Sequence, residues 1–213
     1  MHKPSCAVSL EGLPYILFMA FTTVVLSLLG WWPVSLIALG GTFFSLHFFR
    51  DPERVVPDEP GVAVSPADGK VISVDHHPDP ITGERRQRVC VFMNVFNVHV
   101  NRTPVAGEVL KILYYPGKYL NASLDKASED NERNVVCLRD ADGQDWTFVQ
   151  IAGLVARRIV CWVETGDVVA RGQRMGLIKF GSRVDLYLPE GYESSLRKGT
   201  IVHAGQTVLA RKT

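Results

Sequence analysis

The sequence predicts a mostly β protein, a flattened β-sandwich behind an N-terminal hydrophobic helical hairpin, and three observations carry that reading. An uninterrupted apolar tract fills the N-terminus, short alternating runs succeed one another from Val62 onward, and a glycine-punctuated segment occurs twice near the C-terminus. With 213 residues the chain has room for one domain of ordinary size and an appendage.

The apolar tract runs from Gly12 to Phe49 without a single Asp, Glu, Lys or Arg. A break at GWWP, residues 30–33, divides it into two segments of roughly 17 residues, each about 25 Å long at ~1.5 Å rise and so slightly short of a ~30 Å hydrocarbon core. A tight helical hairpin or a re-entrant anchor fits these lengths better than two independent spans. Trp31 and Trp32 suit an interfacial turn. A cleaved signal peptide fits poorly, because the tract is too long, lacks a small-residue cleavage site and resumes after the break. Lys3 before the tract, and Arg50 and Arg54 after it, favour both ends on the cytoplasmic face of a cell membrane. Residues 1–50 are therefore expected to form a membrane anchor, and residues 51–213 a β-rich domain.

The strands follow in order as GKVISV (69–74), RVCVFMNVFNVHV (88–100), GEVLKILYY (107–115), NVVCLRD (134–140), WTFVQIAG (146–153) and RRIVCWV (157–163). PDPITGE, DADGQD and TGD supply turns. SLDKASEDNERN (123–134) is the only plausible helical stretch, and it is too polar for a core helix. The last strand lies in KFGSRVDLYLP (179–189), where Val184, Leu186 and Leu188 alternate with Asp185 and Tyr187. A Gly-Ser pair stands at its mouth, close to the C-terminus.

GDVVARGQRMGLI (166–178) is echoed by GTIVHAGQTVLA (199–210), each with a glycine, five intervening residues, then Gly-Gln and an apolar pair. Gly166/Gly172 and Gly199/Gly205 are expected to mark paired tight turns at φ values that side chains resist. The pattern resembles the hammerhead turns of biotinyl and lipoyl carrier domains, which makes the expected sandwich barrel-sandwich-like. Carriers present a modifiable lysine in a hairpin, whereas the DKA at 125–127 lies in a polar segment far from the repeats. A net charge of +1 argues against a nucleic-acid partner. The four cysteines, at 6, 90, 137 and 161, and the six scattered histidines offer no metal-ligand spacing.

Five ordered segments carry one further resemblance: FFRDPER (48–54), SPADGKV (65–71), NVFNVHVNRTPVAG (94–107), GKYLNASLDKASEDNERN (117–134) and KFGSRVDLYLP. Together, from about Phe48 to the C-terminus, they resemble the short, prokaryotic-type members of the phosphatidylserine decarboxylase family. The resemblance implies self-cleavage between Gly181 and Ser182, giving a β chain of residues 1–181 and an α chain of residues 182–213 that stay associated. Ser182 would become a covalent pyruvoyl cofactor, with no pyridoxal phosphate and no metal. That group would form a Schiff base with the substrate amine and decarboxylate phosphatidylserine to phosphatidylethanolamine. It further implies that His99 moves protons and that Asp68 pairs with it in an Asp-His-Ser arrangement. Longer members carry two histidines three residues apart; here the first matches His99 and the second position is Arg102. Lys118, Asn121, Lys126, Asn131 and Arg133, with Arg102, are candidate contacts for the phosphodiester and carboxylate. Arg183 and Asp185 are placed to steady the new α-chain N-terminus. Family members are often homodimers. Two alternatives stay open: the same chemistry on an archaeal ether-linked serine lipid, and a membrane-anchored serine hydrolase using Ser182, His99 and Asp68, which would lack a G-x-S-x-G elbow.

Overall fold

Prolines start both N-terminal helices and a glycine turns the chain between them. In the computed structural model, which describes residues 7–122, 130–153, 158–179 and 181–213, α1 spans Leu13–Leu28 and α2 spans Trp32–Phe48, each with proline in its first turn. Gly30 makes the reversal at φ +76°. Between the helices the contacts are small and hydroxylic: the Ser27 and Ser35 hydroxyls lie 2.6 Å apart, and Ser35 Oγ also donates to the Thr23 carbonyl at 3.1 Å. Leu17, Phe18, Phe21 and Ile37 point outward and are exposed. Apolar side chains thus face outward while hydroxyl groups pair between the helices. The helical stretch Leu10–Leu28 has 19 residues and is long and apolar enough to cross a membrane, while α2 is shorter. The chain divides into two compact units, Met1–Glu53, which holds this hairpin, and Arg54–Thr213.

The second unit is built of strands: β1 Val62–Val64, β2 Gly69–Pro78, β3 Arg85–Met93, β4 Val100–Arg102, β5 Gly107–Tyr115, β6 Arg133–Arg139, β7 Asp145–Ala152, β8 Ile159–Cys161, β9 Val168–Val169, β10 Arg174–Ile178, β11 Ser182–Tyr187, β12 Tyr192–Glu193, β13 Ile201–Val202 and β14 Val208–Lys212. Two expectations change. RVCVFMNVFNVHV is two strands, because Asn94 and Asn97 close a turn between them: Asn94 Oδ1 accepts the Phe96 amide at 2.9 Å and Asn97 Oδ1 accepts the Asn94 amide at 2.9 Å. Of the expected helix at 123–134, residues 123–129 lie outside the described residues, and Arg133 and Asn134 begin β6, drawn into the ladder by the β-branched Val135 and Val136.

An eight-stranded antiparallel sheet runs β13-β2-β3-β11-β7-β6-β5-β9, with three-stranded sheets β1-β14-β12 and β4-β10-β8 completing the sandwich. The arrangement is internally two-fold. Val64 N donates to Pro104 O and Arg102 N donates to Pro66 O, both at 2.9 Å. Gly199 N donates to Val71 O and Gly166 N donates to Val109 O, both at 2.8 Å. The four glycines of the C-terminal echo all have positive φ, from 72° to 100°. They are half of the repeat; the other half is SPADGKV (65–71) against TPVAGEV (103–109). One core of Val71, Val91, Met93, Val109, Trp146, Phe148, Met175, Val184 and Leu186 fills the interior between both halves.

Candidate active site

β11 is the strand on which the site is built, because it is hydrogen-bonded on both sides. Ser182 pairs with Met93 of β3 and with Ala152 of β7. Its side chain shares the core-facing parity of Val184 and Leu186 and is fully buried. Gly181 enters the strand at φ +67°, with nothing within 4 Å of the place a Cβ would take, so backbone conformation rather than space demands glycine. The Ser182 hydroxyl meets only a thioether, Met93 Sδ at 3.9 Å, among the described residues. It is thus sequestered and weakly engaged, the state of a group held in reserve.

His99 is buried beside this junction. Its Nδ1 lies 3.0 Å from the Asn97 carbonyl, which can only accept, so Nδ1 carries the proton and donates. The lone pair on Nε2 accepts the Gly181 amide at 3.3 Å. The Asn94–Asn97 turn that splits the expected strand therefore sets the tautomer of the imidazole that accepts the Gly181 amide.

Asp68 has other partners than the one the resemblance implies. Arg54 Nη2 donates to both of its oxygens, at 3.1 and 2.8 Å, and the Ala204 amide donates to Oδ1 at 2.7 Å. The imidazole next to it is that of His203, with Nδ1 3.8 Å from Oδ2. A guanidinium is permanently charged, which gives it the advantage over a neutral ring for a nearly buried carboxylate. Nothing in the sequence assigns a site role to Arg54, within FFRDPER, or to His203; only the fold brings them to Asp68. Arg102, at the expected second-histidine position, donates from Nη1 to the Gly172 carbonyl at 2.9 Å and runs against Gly205, joining the two glycine turns.

The 117–134 candidates separate into distinct environments. Asn131 is buried and its amide is spent on backbone: Nδ2 donates to Leu120 O at 2.8 Å and to Ala152 O at 2.7 Å, while Oδ1 accepts the Leu120 amide at 2.9 Å. It ties the Leu120 loop to the residue paired with Ser182. Lys118 is 72% exposed, 3.8 Å from Asp130. Arg133 stacks on the Tyr115 ring at 4.6 Å, and Asn121 is exposed. Lys126 lies outside the described residues.

Sequence reading missed a buried amide chain leading to the site. Asn134 Nδ2 donates to Gln150 Oε1 at 3.0 Å, Gln150 Nε2 donates to Asn101 Oδ1 at 2.9 Å, and Asn101 Nδ2 reaches Met93 Sδ at 3.7 Å. The signal was present: Gln150 and Asn134 stand at core-facing positions of otherwise apolar strands, in step with Trp146 and Phe148 and with Val136 and Leu138. On the opposite face of β11, Arg183 Nε and Nη2 grip the Asp185 carboxylate at 2.6 and 2.9 Å, and Nη2 also reaches Cys90 Sγ at 3.0 Å. Burial, then the Asp185 charge, pushes the Cys90 thiol well above its ordinary range, so it stays protonated and is no nucleophile. Burial likewise raises Tyr187 to about 12.

The fold and this junction define a β-sandwich protein in which a left-handed glycine leads into a buried serine and an oriented imidazole holds the amide of that glycine. The family model of phosphatidylserine decarboxylase matches residues 42–210. Proteins called phosphatidylserine decarboxylase proenzyme are similar along their whole length: one from Nitratidesulfovibrio vulgaris is 57% identical over 213 residues, covering 100% of this chain and 98% of the relative. Another from Solidesulfovibrio magneticus is 58% identical over 212 residues, covering 100% and 99%. A third from Nitrosomonas europaea is 52% identical, covering 98% and 97%. The chain belongs to the phosphatidylserine decarboxylase family.

Proposed function

We propose that this chain is a self-processing decarboxylase that converts phosphatidylserine to phosphatidylethanolamine and CO₂ by means of a pyruvoyl group made from Ser182. The observation that carries the reading is the junction itself: Gly181 at φ +67° with its amide on His99 Nε2, immediately before a serine locked into the middle of a sheet.

In the uncut chain Ser182 Oγ attacks the Gly181 carbonyl carbon, and the lone pair of His99 Nε2, once it gives up the Gly181 amide, takes the hydroxyl hydrogen. The tetrahedral centre collapses by breaking the C–N bond, and the released amine of residue 182 takes up the proton. What remains is an ester between residues 181 and 182. Loss of the residue 182 α-proton then expels the Gly181 carboxylate, and addition of water with departure of ammonia leaves the keto group. The surroundings fit such a group, since the Ser182 position is fully buried and its hydroxyl makes a side-chain hydrogen bond, among the described residues, to a thioether alone. Once formed, the keto group supplies the electron sink that decarboxylation of an α-amino acid requires.

For the lipid reaction, His99 hands a proton back to the substrate carbon after CO₂ departs. Asp68 acts one step removed, fixing Arg54 and the Ala204 turn. Scission also frees the end of the chain at Gly181, which uncovers residue 182 for a headgroup. The two pieces stay together because β11 is bonded to β3 and β7, both on the other piece. Lys118 and Arg133 remain the candidates for the phosphodiester. The apolar hairpin of α1 and α2 anchors the protein in the cell membrane, with the β unit on the cytoplasmic side.

Intact mass decides the reading. Wild-type protein is expected as two chains, the smaller beginning at residue 182 with a hydrazine-reactive, Edman-blocked end. Ser182→Ala is expected as one uncut chain without decarboxylase activity. An active enzyme whose chain is unbroken and carries an ordinary serine at 182 overturns it.

A further inference from the structure

We infer that Gly153 is a positioning residue for self-cleavage: its bare Cα makes the place in which the carbonyl of the scissile Gly181–Ser182 bond sits. This rests on the self-processing reading above and names a residue that the reading does not use. A Cβ built on Gly153 would lie 2.1 Å from Gly181 O and 3.1 Å from Gly181 C, well inside any real contact. No positive φ explains the glycine, since Gly153 is not among the glycines with left-handed backbone. The close approach of the scissile carbonyl does.

The geometry around the contact makes the carbonyl the part that must yield. Ser182 is fixed from both sides by Met93 and Ala152. Ala152 is fixed in turn by Asn131 Nδ2 on its carbonyl at 2.7 Å. Among the described residues nothing lies within 4 Å of the Cβ position of Gly181, so the crowding at this junction falls on the carbonyl of the 181–182 peptide plane, against the Gly153 Cα. A methyl group at 153 turns that plane and changes the face of the carbonyl carbon presented to Ser182 Oγ. The Gly181 oxygen is also the atom that takes up the electron pair when Oγ adds, so its position governs the first step and not the later elimination.

Gly107 provides a matched control. A Cβ there would lie 2.2 Å from the Arg139 carbonyl, an equally severe backbone clash in the same sheet but far from the junction in sequence and on a different strand pair. Gly153→Ala and Gly107→Ala are each made in the full chain, with and without Ser182→Ala. Chain cleavage is followed on denaturing gels over time, with and without neutral hydroxylamine. Hydroxylamine nitrogen bonds to an ester carbonyl at Gly181 and releases Ser182 Oγ as a hydroxyl, so it cuts any precursor that has completed the acyl shift.

The expected result is that Gly153→Ala cleaves at least tenfold more slowly than wild type and its precursor resists hydroxylamine, while Gly107→Ala still cleaves. In the uncleavable Ser182→Ala background the two alanine variants are expected to melt at similar temperatures. Wild-type cleavage by Gly153→Ala overturns the inference, as does a precursor that hydroxylamine cuts, or equal loss of cleavage in both variants. A Gly153→Ala precursor that fails to fold, or melts far below Gly107→Ala, also overturns it, because the bare Cα is then a demand of the fold. A wild-type chain that never breaks marks the separate failure of the processing reading itself.

Discussion

The two halves of the β unit enter their central strands through the same backbone device and put it to different uses. Val71 pairs with Val91 and Val91 with Val184; Val109 pairs with Leu138 and Leu138 with Trp146. By that register Gly181-Ser182 corresponds to Gly143-Gln144. Both glycines are left-handed, at φ +67° and φ +78°. Gly143 closes a hairpin between β6 and β7, with its amide on Asp140 O at 3.1 Å and the Gln144 amide on Asp140 Oδ1 at 2.9 Å. In the other half no hairpin joins β3 to β11; the chain arrives from β10. The Gly181 amide therefore finds the His99 imidazole instead of a turn carbonyl. A glycine corner becomes a candidate reaction centre when the local partners that would have quieted it are replaced by a titratable ring.

The largest effect should come from breaking this difference directly. Gly181→Ala and Gly143→Ala impose the same strain, each costing about 1 kcal/mol or somewhat more of stability in a denaturant titration. Only Gly181→Ala is expected to slow chain cleavage, by about a hundredfold or more on a denaturing gel. Next, His99→Gln should lower cleavage by on the order of 10²–10⁴-fold, the usual worth of a positioned proton carrier. Equal cleavage by wild type and variant would return that corner to the status of its twin.

A second asymmetry is Asp68 against Ala106 at the matching place in the other half, SPADGKV against TPVAGEV. Asp68→Ala leaves the Arg54 guanidinium, only 12% exposed, without its carboxylate. A loss of about 2–3 kcal/mol in chemical unfolding is expected, somewhat below the fully buried case. Gln150→Leu strands the Asn101 and Asn134 amides and should cost about 1–3 kcal/mol. Smallest of all, Lys118→Ala removes an exposed pair and should shift stability by less than about 1 kcal/mol. Any effect it has should fall on KM for lipid vesicles.

The strands were legible because short runs rich in β-branched and aromatic residues are bounded by turn residues, and the echo of Gly172-Gln173 in Gly205-Gln206 disclosed half of the two-fold. The other half was equally open to reading in the paired Ser/Thr-Pro segments but is interrupted at Asp68, where the copies diverge. Ser182, Gly181 and His99 were nameable from their motifs, and the fold places them together. What the chain did not disclose was competition: Arg54 stands shortly before Asp68 and His203 near the far end of the chain, and only folding decides which of them reaches the carboxylate. Gly153 was unreadable for a related reason, since a glycine ending a strand is ordinary until the atom it faces is known.

The position of β11 in the interior of its sheet has a last consequence, for the order of events. A continuous chain can insert that strand between β3 and β7 as one polymer folding upon itself. If the chain is cut ahead of Ser182 as proposed, the same arrangement has to be rebuilt by two separate molecules meeting in solution, one of them only the short piece from Ser182 to Thr213. Heat-denatured mature enzyme should therefore recover poorly and in a dilution-dependent way, whereas the Ser182→Ala precursor should renature as a single species. On the proposed self-processing, assembly comes first and the cut afterwards, and the finished catalyst would be held in place by its history.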